Sequence, residues 1–417
     1  MNASIVGQSV TNAATLSGSG LISAPLINAA GGVITANNGL LTIAGALTQN
    51  GTINVAAAST LDVLQAFANG GSLNLQGGFL VGGTVTNTSG DSIAGFGTIS
   101  NAVVNAGLIT ASGGTLTLTA GAPVTQAGSG INVANAAALR FTPDWSNSGT
   151  LAVNGTLFSG TLTNTSNTGT LSGSGYINSF VVNQGRMNFG GTISNSFLQT
   201  AGSFTLSGNA TITGNATISG GGVDLNGVDL KYNSLTISSS ATLQNSGGSG
   251  AALNGNVVNA GTVNFHVNAD ANVNGNIVNS GTWKQAGVVS GEINNSGSFM
   301  WLTWTGSGNT PHLTGGINNS GSLFLASDYA AQVDGSITNS GTLTLHGTIN
   351  GNYVQTAGKF NISAYNGPTA TADIRGTASI TGGTFDLTGQ TYSNGLMVVS
   401  GTGVLSNAIA GATFSAV

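Results

Sequence analysis

One short phrase returns along nearly the whole chain: an Asn, a small or polar residue, a Gly, any residue, then an apolar one. It reads NSGTL from Asn147, NTGTL from Asn167, NQGRM from Asn183 and NAGTV from Asn259. It continues as NSGTW from Asn279, NSGSF from Asn295, NSGSL from Asn319 and NSGTL from Asn339, so it recurs at short and uneven steps. Gln replaces the Asn in QTAGSF from Gln199 and in QTAGKF from Gln355. A longer repeat encloses the short one. Asn28, Asn105, Asn183 and Asn259 follow one another at nearly equal intervals, and GGTVTNTSGDSIAGFGTIS (Gly82–Ser100) parallels SGTLTNTSNTGTLSGSGYIN (Ser159–Asn178). The long blocks run about 28–104, 105–182, 183–258 and 259–338, with less regular coils over 339–417. A chain that reuses one unit this way stacks like on like, each unit packing only on its neighbours.

Within a unit the pattern is that of short strands. In GTLTLHGTINGNYVQTAGKFNISA (Gly341–Ala364) the apolar residues Leu343, Leu345, Ile349, Tyr353, Phe360 and Ile362 alternate with polar ones. Alternation over three to five residues, broken by Gly and Asn, is the strand signal. Helical spacing is not sustained anywhere, and Gly and Asn weaken helices while tolerating the positive φ that corners require. The expected fold is all-β: one continuous single-chain parallel β-helix over residues 1–417, of roughly 20 coils of 16–24 residues. Coils stacked about 4.8 Å apart would make a rod on the order of 100 Å long. Asn147, Asn167, Asn183, Asn259, Asn279, Asn295, Asn319 and Asn339 are then expected to form an amide ladder at equivalent corners, as in stacked cross-β structures.

Composition narrows the function. Lys and Arg total 6 and Asp and Glu total 11 in 417 residues, so charged residues are 4%, against roughly 25% in ordinary soluble domains. Asn, Ser, Thr and Gly must therefore make the solvent surface. No basic patch exists to neutralise phosphates, which argues against nucleic acid. No apolar run approaches the roughly 20 residues of a transmembrane helix. The first residues, MNASIVGQSVTNAATLSGSG, lack a basic and an apolar segment, so a secretion signal is expected to lie outside this sequence. There is no Cys, which is compatible with export.

Residues able to carry chemistry are thinly spread. Asp62, Asp91, Asp144 and Glu292 stand singly. The best acid pair is Asp224 with Asp229, next to Lys231, but their offset puts them on opposite faces of one strand unless Asn226–Gly227 turns a corner. Asp328 and Asp334 have the same standing. Glycoside cleavage wants two carboxylates roughly 5–10 Å apart, and the preferred reading of these acids is structural. His266, His312 and His346 are each isolated, without a second ligand at metal spacing, so no metal and no cofactor is expected. Three of the four Trp fall close together: Trp283, then Trp301 and Trp304 in GSFMWLTWTG. Phe299 and Trp301 share one strand face, and Met300, Leu302 and Trp304 the other. The competing expectations are a wider core or an exposed aromatic platform of Trp283, Phe299, Trp301 and Trp304 for sugar rings or a partner protein.

Through the units INNSGSF (Ile293–Phe299), INNSGSL (Ile317–Leu323) and ITNSGTLTLHGTI (Ile337–Ile349), the chain resembles the parallel β-helix passengers of bacterial autotransporters and filamentous-haemagglutinin-like exoproteins. The resemblance implies right-handed coils and secretion or display on a bacterial surface. It also implies roles in adhesion, aggregation or matrix building, with partners that are the protein itself or surface glycans and proteins. The leading expectation is a non-enzymatic structural or adhesive rod; the alternatives are a head-to-tail filament subunit and, behind it, a polysaccharide-binding or polysaccharide-cleaving β-helix.

Overall fold

The computed structural model describes residues 2–166, 168–247, 250–265, 271–301, 311–325, 330–363, 370–387, 390–407 and 413–416. Among these there is no helix; the elements are β-strands, mostly of three or four residues. They wind as a parallel β-solenoid of about 19 turns, in which each strand pairs with its counterpart in the next turn. The residues group into two compact units, Met1–Phe197 with Ala201–Ser207, and Leu198–Thr200 with Gly208–Val417.

A coil of the first unit has three strands, Trp145–Asn147, Thr150–Val153 and Thr156–Phe158. The next coil lays Leu162–Asn164, Thr170–Gly173 and Tyr176–Asn178 alongside them in parallel register. The second unit repeats the plan with Ile277–Asn279, Thr282–Gln285 and Val288–Val289 under Ile293–Asn295, Ser298–Trp301 and His312–Leu313. We call the strand that ends in Asn the amide face and the two that follow the second and third faces. Alternation decides what points inward: along Thr342–Leu345 the residues run exposed, buried, half-buried, buried. Leu343, Leu345, Ile349, Tyr353, Phe360 and Ile362, the alternating set, are all buried.

Stacking turns each inward position into a column. On the second face of the first unit the column runs Ile34, Ile53, Leu73, Ile93, Ile109, Ile131, Leu151, Leu171, Met187. In the second unit it runs Leu243, Val263, Trp283, Phe299, Leu323, Leu343, Phe360, Phe385. Each buried aliphatic side chain is worth about 1.5–3 kcal/mol, and a column repeats that gain at every turn.

The Gly of the Gln forms takes the expected positive φ, at Gly202 (φ 65) and Gly358 (φ 68), but the Gly of the Asn form has a different reason. Positive φ is used at places such as Asn38 (φ 57) and Gly39 (φ 134), but Gly281, Gly297, Gly321 and Gly341 do not adopt it. They lie directly over one another. A Cβ on Gly297 would stand 2.2 Å from the carbonyl oxygen of Gly281, one on Gly321 2.2 Å from that of Gly297, and one on Gly341 2.1 Å from that of Gly321. A second column, Gly255, Gly275, Gly291, Gly315 and Gly335, makes the same contact at 2.3 Å where the third face turns into the amide face. Consecutive corners approach too closely for any side chain.

Candidate functional site

The repeated Asn builds the first candidate. On the amide face it ends each strand and points inward, and in the second unit Asn259, Asn279, Asn295, Asn319 and Asn339 are 3% exposed or less. Each Nδ2 donates to the Oδ1 of the next: 2.7 Å from Asn259 to Asn279, 2.8 Å to Asn295, 2.8 Å to Asn319 and 2.7 Å to Asn339. The second hydrogen of Nδ2 serves backbone carbonyls, as from Asn279 to Ser298 at 3.0 Å. The column then passes through the Tyr353 hydroxyl, which donates to Gln355 Oε1 at 2.7 Å. Burial pushes that phenol's pKa far up, with the Asn339 hydrogen bond opposing. A buried amide satisfied on every side is a cohesive device; nothing in it faces a ligand.

The first unit carries the same device through Asn147, Asn164 and Asn183, at 2.9 and 2.8 Å. Asn164 stands in the column between Asn147 and Asn183; Asn167, the expected member, lies outside the described residues.

The aromatic platform is also corrected. Trp283, Phe299 and Trp301 are 0–1% exposed. Trp283 stacks on Phe299 at 5.9 Å with an interplanar angle of 10°, and its Nε1 donates to buried Gln285 at 2.9 Å. These three rings are core, because their positions continue inward columns and the alternation that fixes Leu323 inward fixes them too. Trp304 lies outside the described residues.

Among the acids, Asn226 (φ 52) and Gly227 (φ 81) do turn the corner between Asp224 and Asp229. Asp224 caps that corner: Ser246 Oγ, Ser246 N, Gln244 Nε2 and Asn226 N donate to it. Partial burial pushes its pKa up, and these hydrogen bonds outweigh burial and hold it below the ordinary carboxylate value. Asp328 and His266 lie outside the described residues. His312 is not isolated: its Nε2 lies 2.8 Å from Asp334 Oδ2. Gln332 and Asn350 donate to the other oxygen of Asp334 at 2.8 Å each. Those bonds, that from Gln332 first, bring the Asp334 carboxyl down to about 2. His346 Nδ1 accepts from Thr371 N at 3.1 Å. No group of three or more metal-ligating side chains occurs among the described residues.

One recess was not foreseen. Outward on the third face of the first unit, Arg140, Phe158 and Asn178 occupy one register position in three successive coils. The Arg140 guanidinium carbon lies 4.3 Å from the centre of the Phe158 ring. Asp144, Asn178, Ser179 and Asn195 line the recess with them, which holds about 540 Å³. Asp144 Oδ1 accepts from Thr161 N at 2.6 Å across to the next coil, and Gly160 leaves the space, since a Cβ there would stand 2.5 Å from that same oxygen. Arg140, Phe158 and Asn178 stand a full coil apart in sequence, so only the coil register reveals them as neighbours.

Comparison of the chain with protein-family models, with curated proteins and with solved structures finds no match.

Proposed function

We propose that this chain is a structural and adhesive element, secreted or displayed at a bacterial surface, with no catalytic role. The observation that carries the reading is how the repeated residues are used: Asn and Gly, the residues the sequence insists on, go into coil-to-coil contacts. What remains outward carries few charges, since Lys and Arg total 6 and Asp and Glu 11 in 417 residues. Along the amide face of the first unit the outward column reads Thr11, Ile27, Thr48, Ala68, Thr86 and Val104, one residue per coil. Such a face attracts by many weak contacts, not by long-range charge, so its partners are other copies of the chain and the glycans or proteins of neighbouring surfaces.

Beads coated with the protein test this. They should clump with one another or adhere to cells at both low and high salt, because screening acts only on charges. Beads that stay dispersed, or clump only at low salt, count against the reading.

A second reading, head-to-tail assembly, is favoured by one observation. Val399 and Leu405 continue the inward positions of buried Ile380 and Phe385, yet each is 44% exposed. A further coil, from this chain or from another copy, would cover them. Sedimentation across a concentration series separates this from lateral adhesion: open-ended growth in mass supports it, and a constant mass contradicts it.

A further inference from the structure

The recess around Arg140 brings together a guanidinium, an aromatic ring, a carboxylate and two amides. Lys and Arg total 6 in the chain, and among the described residues Arg140 has neither an ion pair nor a hydrogen bond. Its one recorded interaction is with the Phe158 ring. Stacking holds a guanidinium flat without using any of its N–H groups, so all five donors remain available in the planar fork that matches a carboxylate. Opposite lies Asp144, with one oxygen bonded to Thr161 N and the other without a partner among the described residues. Asn178 accepts from Ser194 Oγ at 2.9 Å and Asn195 accepts from Ser196 N at 2.8 Å. Among the described residues neither amide's NH₂ group has an acceptor, and Phe158 and Phe180 supply an apolar wall.

A bare inorganic anion suits this arrangement poorly, because the Asp144 carboxylate would repel it. A neutral sugar would leave the guanidinium's charge unmatched. A ligand with a carboxylate at one end and hydroxyl donors at the other satisfies both. We propose that the recess binds an acidic saccharide, a uronic acid unit whose carboxylate takes the Arg140 fork while its hydroxyls bond Asp144, Asn178 and Asn195. The proposal rests on the adhesive part of the preceding reading and gives it a ligand class.

Calorimetric titration of the intact chain with trigalacturonate, maltotriose and sodium acetate tests it, with Arg140→Gln and Asp144→Asn as variants. Both side chains are exposed, and circular dichroism checks that the fold is kept. Trigalacturonate should bind, and bind at least about tenfold tighter than maltotriose or acetate, since a charge-assisted bidentate pair is lost in the one and the hydroxyl contacts in the other. Arg140→Gln should weaken trigalacturonate binding by about tenfold or more and abolish its salt dependence. Asp144→Asn should weaken it several-fold. The proposal is overturned if trigalacturonate does not bind, if Arg140→Gln binds it equally, if maltotriose or acetate competes on equal terms, or if Asp144→Asn tightens binding. Bead clumping at high salt separates the two claims: Arg140→Gln beads should still clump, and dispersed beads with intact uronate binding would sink the broader reading alone.

Discussion

The amide column is broken at Gln49 and at Thr125 in the first unit, whereas in the second it runs unbroken from Asn259 to Asn339, with Ile237 at the paired position before it. In the first, Asn12 donates to Asn28 and Asn28 to Gln49, each at 2.8 Å, but Gln49 turns its Nε2 back to Gly51 O at 2.8 Å. The next member, Asn69, is left with a buried Oδ1 that no donor reaches. The column restarts there, runs through Asn87 to Asn105 at 2.9 and 2.8 Å, and stops again because the position paired with Asn105 is Thr125. In the second unit five Asn follow without a gap, although the coil from Asn295 to Asn319 is much longer than the one from Asn279 to Asn295. Coil length is therefore not what breaks the chain of amides. Residue identity is: Asn reaches the next coil, whereas the extra methylene of Gln49 lets its amide fold back on its own corner and Thr125 brings no amide.

The largest effect that would test this comparison comes from the glycine column beside the amides. Gly297→Ala places a Cβ against Gly281 O, and should destabilise the second unit by about 3 kcal/mol or more, a severe overpacking cost. Gly222→Ala, in the same unit, meets nothing within 4 Å and should change stability by no more than about 0.5–1 kcal/mol, in the stabilising direction if at all. Urea unfolding followed by circular dichroism compares the two; equal costs would refute the close-approach explanation.

Next comes the amide column itself. Asn295→Ala leaves the donor of Asn279 and the acceptor of Asn319 buried without partners, at about 2–4 kcal/mol for the two orphaned groups. Asn69→Ala should cost about half as much, since it strands only one neighbouring group, the Asn87 acceptor. A reversed order would show that column continuity has no energetic meaning.

Acid separates the units further. Two carboxyls held below their ordinary value by hydrogen bonds, Asp334 at about 2 and Asp224, belong to the second unit. A depressed folded value means that their contribution is fully present above the ordinary carboxylate range near about 4 and is lost as pH falls through the folded value. Acidification from pH 5 to pH 2 should therefore weaken the second unit, read by Trp283 and Trp301 fluorescence, before the first, read by Trp145. Asp334→Asn and Asp224→Asn should flatten that difference; identical acid transitions in all Trp signals would contradict it.

The smallest predicted effect is a repair. Gln49 and Asn69 are paired across consecutive coils, so Gln49→Asn should reach the orphaned oxygen and stabilise the first unit by about 1 kcal/mol. A loss of stability there would show that Gln49 holds its corner in a way that Asn cannot.

Much of this was legible in the sequence because a solenoid writes its contacts into its period. Alternation gave the inward residues, and the Asn phrase gave most of the column, including the substitution at Gln355. What stayed hidden depends on register. Asn164 was masked because the phrase NTGTL begins later, at Asn167. The glycines of the Asn phrase looked like φ requirements because close approach between coils leaves no local signature. Phe299 and Trp301 could face either way until stacking on Leu323 and Leu343 fixed them inward. The pairs His312–Asp334 and Arg140–Phe158 each join residues of successive coils, and no local motif connects them.

Register between coils is what every contact above presupposes, and distances between spin labels measure it directly. The chain has no Cys, so paired substitutions label cleanly. Val258, Val278, Asn294, Asn318 and Thr338 occupy one outward position on five successive coils of the second unit. Labels at Val258→Cys and Thr338→Cys, four coil steps apart, should lie about 19 Å from each other in a narrow distribution. A broad distribution, or a mean beyond about 30 Å, would mean that these turns do not stack at the strand spacing.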